Sequence, residues 1–188
     1  MEVDNTPFER CVVLSELRHW EILFGPIAEY ISRQIVETVD PNSIFAHWTA
    51  RWLIGPIPAP IKIWALRRRH YDGLICYDYK GAPAARMFWQ EHRSNGQGAT
   101  ANGRVDLHMF SVAVPEEYRG RGYAKAAGEL LLRYAIGRED VCAVRFGRGM
   151  GVNAVILGHI EARASLGLID RNAFIIAPQG WAHIVRPS

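Results

Sequence analysis

The run Val112-Ala113-Val114-Pro115-Glu116-Glu117-Tyr118-Arg119-Gly120-Arg121-Gly122-Tyr123-Ala124 reads as a strand that ends in proline, a glycine-rich turn and the start of a helix. Such a turn aims the free N–H groups of a helix N-terminus at one spot, where the helix dipole also favours negative charge. Its glycines let the backbone come close to a ligand, and Arg119 and Arg121 can add charge-assisted contacts. A phosphate or pyrophosphate is the expected occupant. The run contains no GKS, GKT or GxGxxG, so it is neither a P-loop nor a dinucleotide fingerprint.

Working outward, Val105 to Val114 carries the strongest strand pattern and Tyr123 to Ile136 the strongest helical one. Downstream, Val141 to Phe146 reads as a strand, Asn153 to Leu166 as a helix, and Phe174 to Ala177 with Trp181 to Val185 as a closing strand pair. Upstream, Leu74 to Tyr79 and Ala84 to Glu91 flank the turn Lys80-Gly81-Ala82-Pro83 and form a hairpin. The polar, Gly-rich stretch Ser94 to Gly103 follows as a loop. Cys11 to Leu14 is a short first strand. From Ser15, Leu17, Trp20, Ile27, Tyr30, Ile31, Ile35 and Val39 recur at helical spacing, interrupted at Gly25-Pro26. Pro56, Pro58 and Pro60 exclude regular structure between Ile54 and Pro60. Helices, a hairpin and then β-α-β-α-β-β predict a mixed α/β (α+β) fold with a largely antiparallel central sheet flanked by helices. One domain over 1–188 is expected, with a helical and Pro-rich part at 1–70 and a core at 74–185.

Composition agrees with a globular chain: 188 residues, 49% hydrophobic and 22% charged, which excludes fibrous and disordered classes. No apolar run reaches the ~18 residues of a membrane span. The opening residues carry Glu2, Asp4 and Glu9 with no apolar segment, so the cytoplasm is the expected compartment. Cys11, Cys76 and Cys142 are widely spaced and include no CxxC, which predicts reduced thiols and no metal site. Net charge is +3, and Lys62, Lys80 and Lys125 are the lysines among 22 basic residues. The arginine bias reflects a GC-rich genome or suits phosphate-bearing ligands, and the net charge is too small to imply a nucleic-acid partner. Arg67-Arg68-Arg69-His70 reads as a solvated charge run, with a contact to an acidic acceptor or a nucleic-acid phosphate as the alternative. His47, Trp48, Trp52 and Trp64 are core or the wall of an acceptor pocket.

The run at 112–124 resembles the acyl-CoA pyrophosphate loop of the GNAT superfamily of N-acyltransferases. That loop has the pattern Gln/Arg-x-x-Gly-x-Gly/Ala, met here by Arg119, Gly122 and Ala124 after a Val-x-Pro strand ending. The upstream hairpin, the downstream helix and strand, Asn153 opening a further helix, and Ser165-Leu166-Gly167-Leu168 fall in that family's order from about Leu74 to Val185. The resemblance implies a sheet splayed at the acyl-CoA site, acetyl-CoA or another acyl-CoA as co-substrate, and transfer to an amine of a small molecule or protein by direct attack. It implies pantetheine pairing along Val112, Ala113 and Val114, and pyrophosphate binding by the N–H groups of Arg119, Gly120, Arg121, Gly122, Tyr123 and Ala124. Asn153 is a further cofactor-binding candidate, although it lies about one helical turn further from Gly167 than in the family.

Amine attack needs a base. Alternation along Val105 to Ser111 puts Leu107 and Met109 on one face and Asp106, His108 and Phe110 on the other. Distance to Arg119 places Asp106 where some relatives of that family keep a Glu and His108 where others keep a His. His108 is the expected base, with an ordinary pKa of ~6.5, and Asp106 orients it or holds water. The alternative is that both are structural or substrate-binding residues. The family's usual Tyr acid is replaced by Arg163, which cannot donate a proton at ordinary pH. Arg163 can stabilise the departing thiolate by charge or be a surface residue on a slightly shifted helix; Ser165 or water supplies the proton, or the thiolate leaves unaided. Gly147-Arg148-Gly149-Met150-Gly151 either widens the gap between the central strands or is a turn. The expected activity is N-acyltransfer. The alternatives are a CoA-binding or regulatory protein of weak turnover, or acyl transfer onto a nucleic acid. A homodimer is left open.

Overall fold

The computed structural model of the chain describes residues 7–16, 70–93, 104–146 and 151–186. The helices expected between Leu17 and Val39, the Pro-rich loop, the aromatic cluster at His47 to Trp64, the arginine run at 67–69, the loop 94–103 and most of the glycine-rich insertion at 147–150 lie outside them. The chain divides into two compact units, residues 1–12 with 72–188, and residues 13–71.

Seven strands form one sheet: β1 Arg10–Val13, β2 Tyr71–Tyr77, β3 Pro83–Arg93, β4 Val105–Ala113, β5 Val141–Arg145, β6 Phe174–Ala177 and β7 Trp181–Ile184, in the spatial order β1-β2-β3-β4-β5-β7-β6. Two helices follow β4 and β5, α1 at Tyr123–Gly137 and α2 at Gly151–Ser165. Leu14 opens a short 3₁₀ turn, Leu14–Glu16, where the sequence pattern extended the first strand. The β3/β4, β5/β7 and β6/β7 pairs are antiparallel, and β4/β5 is parallel. A parallel neighbour needs a crossover, and α1 supplies it. The mixed, largely antiparallel sheet flanked by helices is the fold class the element order predicts.

α1 packs on the face of the sheet that carries Trp89, Leu107, Met109 and Val144. All four are buried, and Trp89 meets Tyr134 of α1 at 5.5 Å between ring centroids. Ala127, Leu130 and Leu131 line the inner side of α1, each leucine contributing about 1.5–3 kcal/mol on burial. Gly128 is where α2 comes closest, since a Cβ there would stand 2.3 Å from Ile156 Cγ2. The C-terminal carbonyls of α1 are satisfied by a distant cation: Arg186 Nη1 donates to Ile136 O at 2.6 Å.

Two irregularities shape the centre of the sheet. Phe88 pairs with Ser111 and Trp89 with Met109, so Phe110 is an extra residue bulged out of β4. The second is a divergence. β4 stays paired to β3 out to Ala113 opposite Arg86, whereas its register with β5 ends at His108 opposite Arg145. Among the described residues the β5-facing edge of β4 has no β5 partner beyond His108, and the two strands part there.

Candidate active site

The turn before α1 is built by its glycines. Gly120 and Gly122 have φ of 74° and 84°, a left-handed conformation that other L residues adopt only at a cost, and Gly122 is the N-cap of α1. A Cβ at either position would meet nothing within 4 Å, so the backbone presents an open face. Ala126 N donates to Gly122 O at 3.0 Å as the first helical bond, and the N–H groups ahead of it are the orphan donors of a helix start. The turn is pinned at three points. Tyr118 Oη donates to Asp78 Oδ2 at 2.8 Å, and Asp78 Oδ1 in turn accepts from Lys80 N and Ala82 N in the β2/β3 hairpin. Arg119 Nε donates to Val114 O at 3.3 Å, tying the turn to the end of β4. Tyr123 packs edge-on against Phe8 and Tyr118. The hydrogen bond to Asp78 raises the Tyr118 phenol to about 12, and the bonds from Ala82 and Tyr118 hold the Asp78 carboxyl below its ordinary value.

Beside this turn lies a cavity of about 580 Å³ lined by Arg121, Gly122, Lys125, Glu129, His159 and Arg163 among others. Glu129 is 2% exposed although it sits in the apolar run of α1. Arg133 Nη2 bonds its Oε1 at 2.9 Å, Arg163 Nε bonds Oε2 at 2.9 Å, and His159 Nε2 lies 3.1 Å from Oε2. Burial pushes the carboxyl pKa up, and the two guanidinium groups outweigh it, so Glu129 stays below the ordinary carboxylate range. The sequence pattern carried the signal for this group, a lone acid inside Ala126 to Leu132, and the reading of α1 passed over it.

The candidate base stands on the other side of the sheet. Leu107 and Met109 are buried toward α1, while Asp106 and His108 are half-buried on the opposite face, as the alternation predicts. The His108 ring lies 4.1 Å from that of His92 and 5.2 Å from that of Trp181. Burial, then His92 and Arg145, lower its pKa to about 4. His108 is therefore neutral at pH 7 and a weaker base than a free imidazole. Arg163 and His108 are not brought together: the guanidinium of Arg163 is committed to Glu129, on the α1 side. Ser165 Oγ donates to Glu161 O at 2.9 Å, a bond within α2 itself. Asn153 is buried in the first turn of α2, 5% exposed. Among the described residues no group of three or more His, Cys, Asp or Glu could hold a metal, and no helix is long and apolar enough to cross a membrane. The three cysteines are free thiols.

No family model matches the chain, and no curated protein matches it. Solved structures similar to it include an aminoglycoside acetyltransferase from an uncultured soil metagenomic sample, in complex with trehalose, at 13% identity and a TM-score of 0.48, over 86% of this chain and 89% of that one. A second is a GNAT-family N-acetyltransferase from Escherichia coli in complex with CoA, at 14% identity and a TM-score of 0.47, over 98% and 84%. A third is the glucosamine-6-phosphate N-acetyltransferase of Arabidopsis thaliana, at 13% identity and a TM-score of 0.45, over 81% and 91%.

Proposed function

We propose that the chain is an acyl-CoA-dependent N-acyltransferase that uses acetyl-CoA or a related thioester and an amine acceptor. One observation carries this reading: the β4/β5 gap opens at the level of His108, next to a glycine-built helix start with free N–H groups. The N–H groups of Gly120 to Ala124 suit a pyrophosphate, and Arg121 and Lys125 at the adjoining cavity suit further phosphate charge. The β5-facing edge of Val112 and Ala113 offers backbone donors and acceptors to the amides of a pantetheine arm. Val114 O already accepts from Arg119, which limits its share in that pairing. An arm threaded through the gap passes from the α1 side of the sheet to the face that bears His108.

Bound acetyl-CoA supplies an activated acyl carbon: the amine nitrogen bonds to it, the C–S bond breaks, and the sulfur leaves with the bonding pair. His108, neutral at pH 7, accepts the proton the amine must lose. Arg163 belongs with the cavity beside the turn rather than with the departing sulfur in this reading, because Glu129 holds it there. The weak basicity of His108 favours a second reading, a CoA-binding protein with little turnover.

Calorimetric titration with acetyl-CoA, followed by release of free thiol over a panel of amines, separates the two. Binding with amine-dependent thiol release is expected. Binding without release across the panel would favour the second reading, and no binding of acetyl-CoA would overturn both.

A further inference from the structure

The face of the sheet opposite α1 gathers charge at the mouth of the gap. Register places Arg145 of β5 beside His108 of β4 and opposite Trp181 of β7. The Arg145 guanidinium carbon lies 5.3 Å from the centroid of the Trp181 ring, which holds the flat group in place by cation–π attraction. Arg145 is exposed, and among the described residues no carboxylate pairs with it. His92 from β3 and His183 from β7 are exposed on the same face. The acid of this face, Asp106, stands one pleat back from the opening, paired in register with His92 and Ala143. A paired-donor fork preset by an aromatic ring, next to a candidate base and without a protein carboxylate, is a site for an anionic group.

We propose that the acceptor is an amine bearing a carboxylate or a phosphate, and that Arg145, beside His108 at the end of the β4/β5 pairing, binds that group. The inference rests on the acyltransferase reading above and narrows its acceptor class. It also gives the weak base a remedy. Burial, His92 and Arg145 all disfavour the imidazolium of His108, and among the described residues Asp106 on its own strand, His183 on β7 and Arg86 on β3 are the other ionisable groups of this face. An anion on Arg145 offsets one of those opposing charges, so His108 becomes a stronger base when the acidic acceptor is in place.

The test compares β-alanine with propylamine, and O-phosphoethanolamine with ethylamine, in thiol release from acetyl-CoA by wild type, Arg145→Gln and Arg145→Lys. Acetyl-CoA affinity and thermal melting serve as controls for folding. Wild type is expected to prefer one acid over its neutral partner by about ten-fold or more in kcat/KM, the scale of one charge-assisted pair. The pair that shows the preference tells carboxylate from phosphate. Arg145→Gln should erase the preference, chiefly by raising KM for the acid, and Arg145→Lys should keep part of it. Equal use of acid and neutral amine by wild type, or a preference that survives in Arg145→Gln, would overturn the inference. Should no amine release thiol, the acyltransferase reading fails by itself, and calorimetry of the two acids on the CoA-loaded protein still decides: binding weakened in Arg145→Gln supports the site, and binding absent or unchanged overturns it.

Discussion

His108 combines a proposed chemical role with a cost to folding. Its folded pKa of about 4 lies below its ordinary 6.5. Between those two values the unfolded chain binds more protons than the folded one, so stability is full above pH 6.5 and declines as pH falls toward 4. His108→Gln cannot be protonated there, and should flatten that decline when denaturation midpoints at pH 7 and pH 4.5 are compared. An unchanged slope would show that burial and its cationic neighbours do not act on His108 as described. In catalysis, His108→Ala should lower kcat by ~10²- to 10⁴-fold, the usual worth of a general base, with the Kd for acetyl-CoA unaltered. A variant within a factor of two of wild type would pass the role to Asp106 or to water. Gly122 combines a φ of 84° with open space above its backbone. Gly122→Trp should therefore fold with a penalty of ~1–2 kcal/mol and lose acetyl-CoA binding, because the indole fills the approach to the turn. Retained affinity would move the cofactor elsewhere.

The turn is tied to the β2/β3 hairpin, and α1 is packed on α2. Tyr118→Phe removes the hydroxyl that ties the turn to Asp78, and the expected result is weaker acetyl-CoA binding with little change in overall stability. Calorimetry checks this, and full affinity would make the tie incidental. At the helix contact, Gly128→Ala drives a methyl into Ile156 and should cost ~1–3 kcal/mol by overpacking. Ile156→Ala, which removes that Cγ2, should cost less in the Gly128→Ala chain than in wild type, a coupling that chemical denaturation of the variants measures. Most of these elements were legible in the sequence because their patterns are local. The strand Val105–Ala113, the helix Tyr123–Gly137 and the pair Phe174–Ala177 and Trp181–Ile184 lie within one residue of the ends the patterns predict. The hairpin strands run longer than their apolar cores, since β2 starts at Tyr71 and β3 ends at Arg93 through polar residues that only pairing keeps in a strand.

At the scale of the whole sheet, the proposed function depends on a separation that no local pattern carries. The phosphate-suited turn, Arg163 and Glu129 share a cavity on the α1 side, while His108, His92, Arg145 and Trp181 share the opposite face. In the proposed function, the end of the β4/β5 pairing at His108 is where the two meet. Alternation along β4 was enough to put His108 and Asp106 on one face. It could not show that Arg163 turns to Glu129, because the partner is 34 residues away on another helix. Nor could it show that Arg145 and Trp181 meet, since β7 reaches β5 by inserting between β5 and β6. Backbone-amide NMR of the wild-type protein titrated with CoA is the most direct measurement of this arrangement. Saturable shifts concentrated at Gly120 to Lys125 and along Ser111 to Ala113, with smaller ones at Arg145, are the expected result. Shifts that leave both the turn and the open edge of β4 unmoved would contradict it.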